Sequence, residues 1–328
     1  MPFKLAETGC PLLLSKPPLV KQKVKIFEKK EVSFVDRVLS NKKAIVFFLF
    51  PALVMFIAVI IIPIAMSSYY SLQEWSGFGK GTFIGFANYK GLISDPIFVK
   101  AAVNSLILAA ASVFIQLPIS LFLALVLAKG VKFEKSFVTI YFIPVIISTV
   151  VIGQLWMKVY NYDYGILNLL LRSVGLESWT QDWLGDRKQA LGATFIPIIW
   201  QYIGYHMLLM YAGIKSISTD VFEAAVIDGS SWWNTSLKIT IPMLKPVLNV
   251  SVIFAVTGAL KVFDLVYVLT GGGPAHASEV IGTYMVSTIF KGNQYGYGSA
   301  MAIFVILECF VLSILVGFLF REREGAKK

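Results

Sequence analysis

Long apolar runs alternate along this chain with shorter polar breaks, and each run has about the length of a bilayer crossing. A hydrocarbon core of about 30 Å is spanned by roughly twenty residues at about 1.5 Å per residue. Six runs reach that length: Ala44–Met66, Ala101–Ala128, Ser136–Met157, Gln189–Gly213, Val247–Leu269 and Gly298–Phe320. They predict an all-α polytopic membrane protein with six transmembrane helices. Pro51 and Pro63 lie near the ends of the first run, whereas Pro144 interrupts the third. Asn104 and Gln116 are polar positions inside the second. The segment 67–100 carries Tyr69, Tyr70, Trp75 and Tyr89, which suits an aromatic belt at one membrane face. Segment 158–188 reads as a loop, and Thr270–Gly273 with Pro274 reads as a glycine-rich turn before 275–297.

One break differs from the others. Segment 214–246 is long, polar and patterned for structure of its own. Asp220 followed by Glu223 is a helix-start signature, and predicts a helix over Val221–Asp228. Gly229 suits its end, since glycine takes a left-handed turn at no steric cost. Ser230 or Ser231 can cap a second short helix, which Pro242 and Pro246 bound on its far side. The result is a helix-turn-helix knob.

Composition narrows the class. A 328-residue chain that is 57% hydrophobic and 15% charged is too apolar for a soluble domain. Charge then sets orientation. Lys/Arg minus Asp/Glu is +6 for residues 1–43, +2 for 129–135, 0 for the knob loop and +2 for 321–328, against about +1 for the three opposite loops together. Short loops rich in Lys and Arg stay in the cytoplasm, so both termini and the knob belong inside. The domains are then a basic cytoplasmic tail (1–43), a six-helix domain (44–320) and a cytoplasmic tail (321–328). Within the first tail, Phe34–Leu39 with its flanking charges can alternatively form a helix lying on anionic headgroups. Aromatics do not alternate with its basic residues, which argues against nucleic acid. Cys10 and Cys309 are far apart and show no metal-type spacing, and no cleavable signal is expected. Gly79-Lys80-Gly81-Thr82 lacks the upstream glycine and the Ser/Thr after lysine that a phosphate loop requires.

The knob also carries a resemblance. Glu223-Ala224-Ala225, Asp228, Gly229, Ile239 and Ile241-Pro242 resemble the "EAA" loop of the membrane-spanning subunits of ABC importers, with isoleucine where leucine is usual before the proline. Leu260–Pro274 resembles the fifth helix of the carbohydrate branch of that family, the maltose and multiple-sugar type. The likeness runs from about Ile45 to Arg321. It implies a permease of a prokaryotic cytoplasmic membrane that imports a sugar or oligosaccharide. It also implies partners: a second homologous permease forming a heterodimer, two ATPase subunits that receive the knobs, and an external solute-binding protein. ATP and Mg would be used by those ATPases. This chain would bind no cofactor and catalyse nothing itself.

The family's cargo site lies midway across the membrane on helices three, four and five, which selects candidates there. Ionisable groups inside spans face a cavity or a partner. In helix five, Thr257, Gly258, Lys261 and Asp264 recur at three- and four-residue steps, and Lys261 with Asp264 can form an ion pair or meet sugar hydroxyls. Helix four offers Trp200, Gln201, Gly204, Tyr205 and Met207, and helix three Thr149 and Gln154 beyond Pro144. His206 and His276 read as isolated, and Glu308 has no evident partner. Two other functions fit parts of this pattern: an ABC permease for glycerol-phosphate or another polyol, and an ion-coupled secondary transporter. The latter requires a proton-cycling carboxylate, for which Glu308 is the candidate.

Overall fold

The computed structural model describes residues 42–320. The basic tail up to residue 41, with Cys10 and the predicted helix Phe34–Leu39, lies outside the described residues, as does 321–328. The chain divides into two compact units, whose described parts are 42–64 and 65–320. The first is helical: α1 (Lys42–Phe56) contains Pro51 and runs into a π-turn at Ile57–Ile61.

In the second unit a two-stranded antiparallel ladder, β1 (Gln73–Glu74) and β2 (Thr82–Phe83), pairs Gln73 with Phe83 and Glu74 with Thr82. These short strands are the exception to the all-α expectation. Helix α2 (Ala87–Ser94) follows, then α3, which spans Pro96–Ala128 through a π-segment at Ser112–Gln116. α3 begins five residues before the predicted start. Asp95 caps it by accepting from the N–H groups of Ile97 (2.9 Å) and Phe98 (3.3 Å), and Pro96 occupies the first turn, where its missing N–H costs nothing.

The third predicted span is two helices, α4 (Glu134–Ile146) and α5 (Thr149–Val159), bent by 96°. Pro144 sits within α4, and the break falls after it, at Ile147–Ser148. The 158–188 loop holds α6 (Ile166–Ser173). Its buried Asn168 gathers the loop by donating to the Tyr162 and Gln181 carbonyls and accepting from Trp183 Nε1 at 2.9 Å. α7 (Ala190–Lys215) is 26 residues long and packs along α3 and α4.

The knob comprises α8 (Thr219–Ile227) and α9 (Trp232–Thr235), the latter continuing through a π-segment to Met243. Then come α10 (Lys245–Leu260), α11 (Asp264–Leu269), α12 (Ile281–Phe290) and α13 (Tyr295–Phe320). α10 packs between α3 and α13, and α11 rests on α5. Span five is therefore broken at Lys261–Phe263, which the sequence reading treated as continuous helix. Segment 275–297, for which no element was predicted, supplies α12.

Four helical runs are long and apolar enough to cross a membrane: Ile45–Tyr70, Pro96–Ala128, Lys245–Leu269 and Tyr295–Phe320. The bent pair α4–α5 is a fifth if it is one span. α7 has the length but carries buried Thr194, Gln201 and His206, and is not among them. The outward surface is apolar. Phe310, Ile314, Leu315 and Phe318 of α13 are exposed, as lipid or a partner subunit would require.

Candidate functional site

A cavity of about 370 Å³ opens where the two broken spans meet α7. That size lies within the usual range for small-molecule sites. α7 contributes one face: Ile198, Gln201, Tyr202, Tyr205 and His206 line the cavity. Their spacing of three, four, seven and eight residues is a single stripe of a helix. α10 contributes a second stripe through Phe254, Thr257 and Gly258, continued by Lys261. The non-helical residues Lys261–Phe263 and the first residue of α11, Asp264, complete the wall with Thr149, the first residue of α5. Backbone outside helices is tolerated at membrane depth where it lines a cavity, as Lys261–Phe263 does here.

The lining is mixed. Gln201 is 2% exposed and His206 3%, and Gln201 Oε1 and His206 Nδ1 have no hydrogen-bond partner. Buried polar atoms without partners are uncommon, and both of these belong to residues that line the cavity. The Tyr202 hydroxyl lies in hydrogen-bonding reach of Thr149 and near the Asp264 carboxylate. Thr257 is less available, because its Oγ1 donates to the Ile253 carbonyl at 2.7 Å. Tyr205 and Phe254 supply ring surface, their centroids 6.4 Å apart.

Of the sequence-selected residues, Thr149, Gln201, Tyr205, Thr257, Gly258, Lys261 and Asp264 meet at this cavity. Lys261 and Asp264 do not pair within 4.0 Å among the described residues. Trp200, Gly204 and Met207 fall off the α7 stripe and do not line this cavity. Trp200 packs edge-on against Trp156 at 5.9 Å, Met207 is fully buried with Leu125 and Met210, and Gly204 gives room to the Tyr141 backbone of α4. Gln154 is exposed on α5. Ser112, Gln116, Tyr202, His206 and Phe254 were missed. The helical stripe in α7 was the available signal for Tyr202 and His206. His276 is not isolated either, since its Nδ1 lies 2.8 Å from Glu279 Oε2. Among the described residues, Glu308 Oε2 is buried without a hydrogen-bond partner.

The second feature is the knob. Ser218, not Asp220, caps α8, and Asp220 lies in the first turn, where a carboxylate favours the helix dipole. Gly229 has φ +72°, and the helix ends in a Schellman turn: Gly229 N–H to Val226 O at 3.0 Å and Ser230 N–H to Ala225 O at 2.9 Å. Ser231 caps α9. Pro242 does not end the second helix. It sits in the first turn of Ile241–Met243, where proline is accommodated. Glu223, Ala224, Asp228, Gly229 and Pro242 are exposed, Ile239 is half-buried, and Ala225 is packed inward. Beside them Val226, Ile227 (85% exposed), Trp233 and Leu237 form an apolar patch that the motif did not reveal.

Residues 33–324 match the family of binding-protein-dependent transport system inner membrane components. The chain belongs to this family. Among permeases of this kind it is 38% identical over 278 residues to the probable ABC transporter permease protein YurN of Bacillus subtilis, covering 84% of this chain and 95% of that one. It is 35% identical to the xylose/arabinose import permease protein XacH of Haloferax volcanii, over 72% of this chain and 80% of the relative. Its fold is that of a bacterial ABC transporter involved in the import of the acidic polysaccharide alginate, with TM-score 0.75 and 23% identity over 91% of this chain and all of that one. The permease is thus a membrane component of an ABC importer.

Proposed function

We propose that this permease imports a neutral sugar or short oligosaccharide, driven by ATP hydrolysis in separate subunits. Six spans are assigned: α1, α3, α4–α5, α7, α10–α11 and α13. Both ends of the 44–320 domain and the 214–246 loop are on the cytoplasmic side, consistent with the charge count. A second homologous permease completes the pore. Two ATPases receive the knobs, and an external binding protein delivers the cargo. Glu223, Ala224, Ala225, Asp228, Gly229, Ile239 and Pro242 are the coupling residues, joined by the exposed Ile227, Trp233 and Leu237. ATP and Mg belong to the ATPase partners.

One observation carries the cargo assignment: the cavity sets the rings of Tyr205 and Phe254 beside the polar side chains of Thr149, Gln201, Lys261 and Asp264. A sugar has apolar C–H faces and a rim of hydroxyls, and this lining offers a partner to each. The import of pentoses by a relative supports the same class. In the assembled transporter in liposomes, Gln201→Ala should raise the KM for the imported sugar about tenfold while leaving assembly intact, as expected for loss of a buried polar contact worth about 1–2 kcal/mol. Unchanged KM would remove Gln201 from the site. A phosphorylated polyol is the second reading, favoured by the absence of a direct Lys261–Asp264 pair. Glycerol 3-phosphate competing with uptake better than free sugars would select it.

A further inference from the structure

The ends of three helices meet at one lysine. Lys215, the last residue of α7, places Nζ 2.8 Å from Glu134 Oε1 and 3.3 Å from the Ala128 carbonyl oxygen. Glu134 is the first residue of α4, and Ala128 is the last of α3. The Tyr211 hydroxyl, one turn earlier on α7, also donates to Glu134, and Lys215 Nζ lies 5.4 Å from the centre of the Tyr211 ring. A cation at helical C-terminal carbonyls and a carboxylate at a helix start both match the backbone dipoles.

The pair is partly exposed, with side-chain accessibility of 43% for Lys215 and 19% for Glu134, and pairs of that kind add little to stability. Its consequence lies in where it sits. Lys215 is three residues before Ser218, the cap of the first knob helix. α4 packs along α7 from the clasp upward, with Gly204 admitting the Tyr141 backbone, and its other end leads through the 96° break to Thr149 at the cavity. α4 is therefore a rod joined to the knob stem at one end and to the cavity wall at the other.

We propose that Glu134, Lys215 and Tyr211 form a clasp that makes α4 follow α7, so that displacement of the knob reaches Thr149. The three are positioning residues, and the proposal rests on the knob being the coupling element. The coupling is a two-site effect carried by one rigid element, and a charge reversal tests it directly.

The test uses the complete transporter, with its ATPases and binding protein, in a background lacking Cys10 and Cys309. Spin labels at Ile146, the end of α4, and at Asn234, exposed on α9 of the knob, report on trapping with ATP and vanadate. In the otherwise unmodified chain both labels should shift. In Glu134→Gln and in Lys215→Met the Asn234 label should still shift and the Ile146 label should not. The double variant Glu134→Lys/Lys215→Glu should recover the Ile146 response. Single variants with an undiminished Ile146 response would overturn the proposal. So would loss of both responses in those variants, which would make the clasp a folding brace. A silent Asn234 label in the unmodified chain would instead strike at the coupling role of the knob, and the clasp would fall with it.

Discussion

The knob and the cavity are built by different means. Every turn of the knob is set by residues within six positions of it: Ser218 and Ser231 cap, Gly229 takes φ +72°, and Ser230 N–H closes the helix on Ala225. The cavity belongs to no segment. It exists because the start of α5 and the non-helical Lys261–Phe263 between α10 and α11 both lie beside one face of α7. Local chemistry makes an exposed handle, and long-range packing makes a partly open site lined from several helices. A substitution in the first should therefore alter transport without unfolding the chain, whereas one at the helix contacts around the second should unfold it or change what it holds.

The largest expected effect is at the knob. Gly229→Asp places a side chain at φ +72°, at a cost of about 1 kcal/mol, and adds charge to the exposed surface. Nothing lies within 4 Å of the position a Cβ would take, so the fold should survive. ATP-driven uptake should fall to background with normal amounts of protein in the membrane. Uptake at the normal rate would erase the functional half of the comparison.

Two glycines sharpen the other half. Gly204→Ala would drive a methyl group into the Tyr141 backbone and should destabilise the α4–α7 contact by about 1–3 kcal/mol, as overpacking does. Gly258→Ala meets nothing within 4 Å and opens on the cavity, so thermal stability should stay within about 0.5 kcal/mol. Its effect should appear in cargo KM instead. Equal thermal shifts for the two would mean that the packed and open sides of this region are not distinct.

Asp95 is both a local cap and a tertiary anchor. Its Oδ2 accepts from Tyr284 at 2.6 Å and Tyr297 at 3.1 Å. Burial raises its pKa, but the hydrogen bonds from Tyr284, from the Ile97 and Phe98 N–H groups and from Tyr297 outweigh this and hold it below the ordinary carboxylate value. A depressed folded pKa means that this stabilisation is present above the unfolded value and is lost as pH falls through the folded one. Asp95→Ala should cost about 1–2 kcal/mol near neutral pH, as loss of a helix cap does, and that cost should shrink in acid. A cost independent of pH, measured by thermal melts of the purified complex, would contradict the assignment.

Legibility in the sequence follows the same division. Gly229 and Ser231 announced themselves, because caps and turns depend on nearest neighbours, whereas the Asp220–Glu223 pair drew the first cap two residues past Ser218. The start of α3 could have been read from Asp95-Pro96. The break at Lys261–Phe263 had a signal too: lysine ends one helix and aspartate begins the next, as their dipoles prefer. The three- and four-residue spacing of Lys261 and Asp264 concealed it by fitting a continuous helix. Trp200, Gly204 and Met207 were chosen by residue type, and helical phase placed them elsewhere. The apolar patch of Ile227, Trp233 and Leu237 had no sequence signal, since exposure becomes visible only once the knob is folded.

The most direct measurement is thiol labelling of Asp228→Cys in a background lacking Cys10 and Cys309, with a membrane-impermeant reagent. The account predicts no labelling in intact cells, labelling in inside-out vesicles, and protection there once the ATPase subunits are bound. Labelling of intact cells would put the knob on the wrong side of the membrane and contradict the account at its centre.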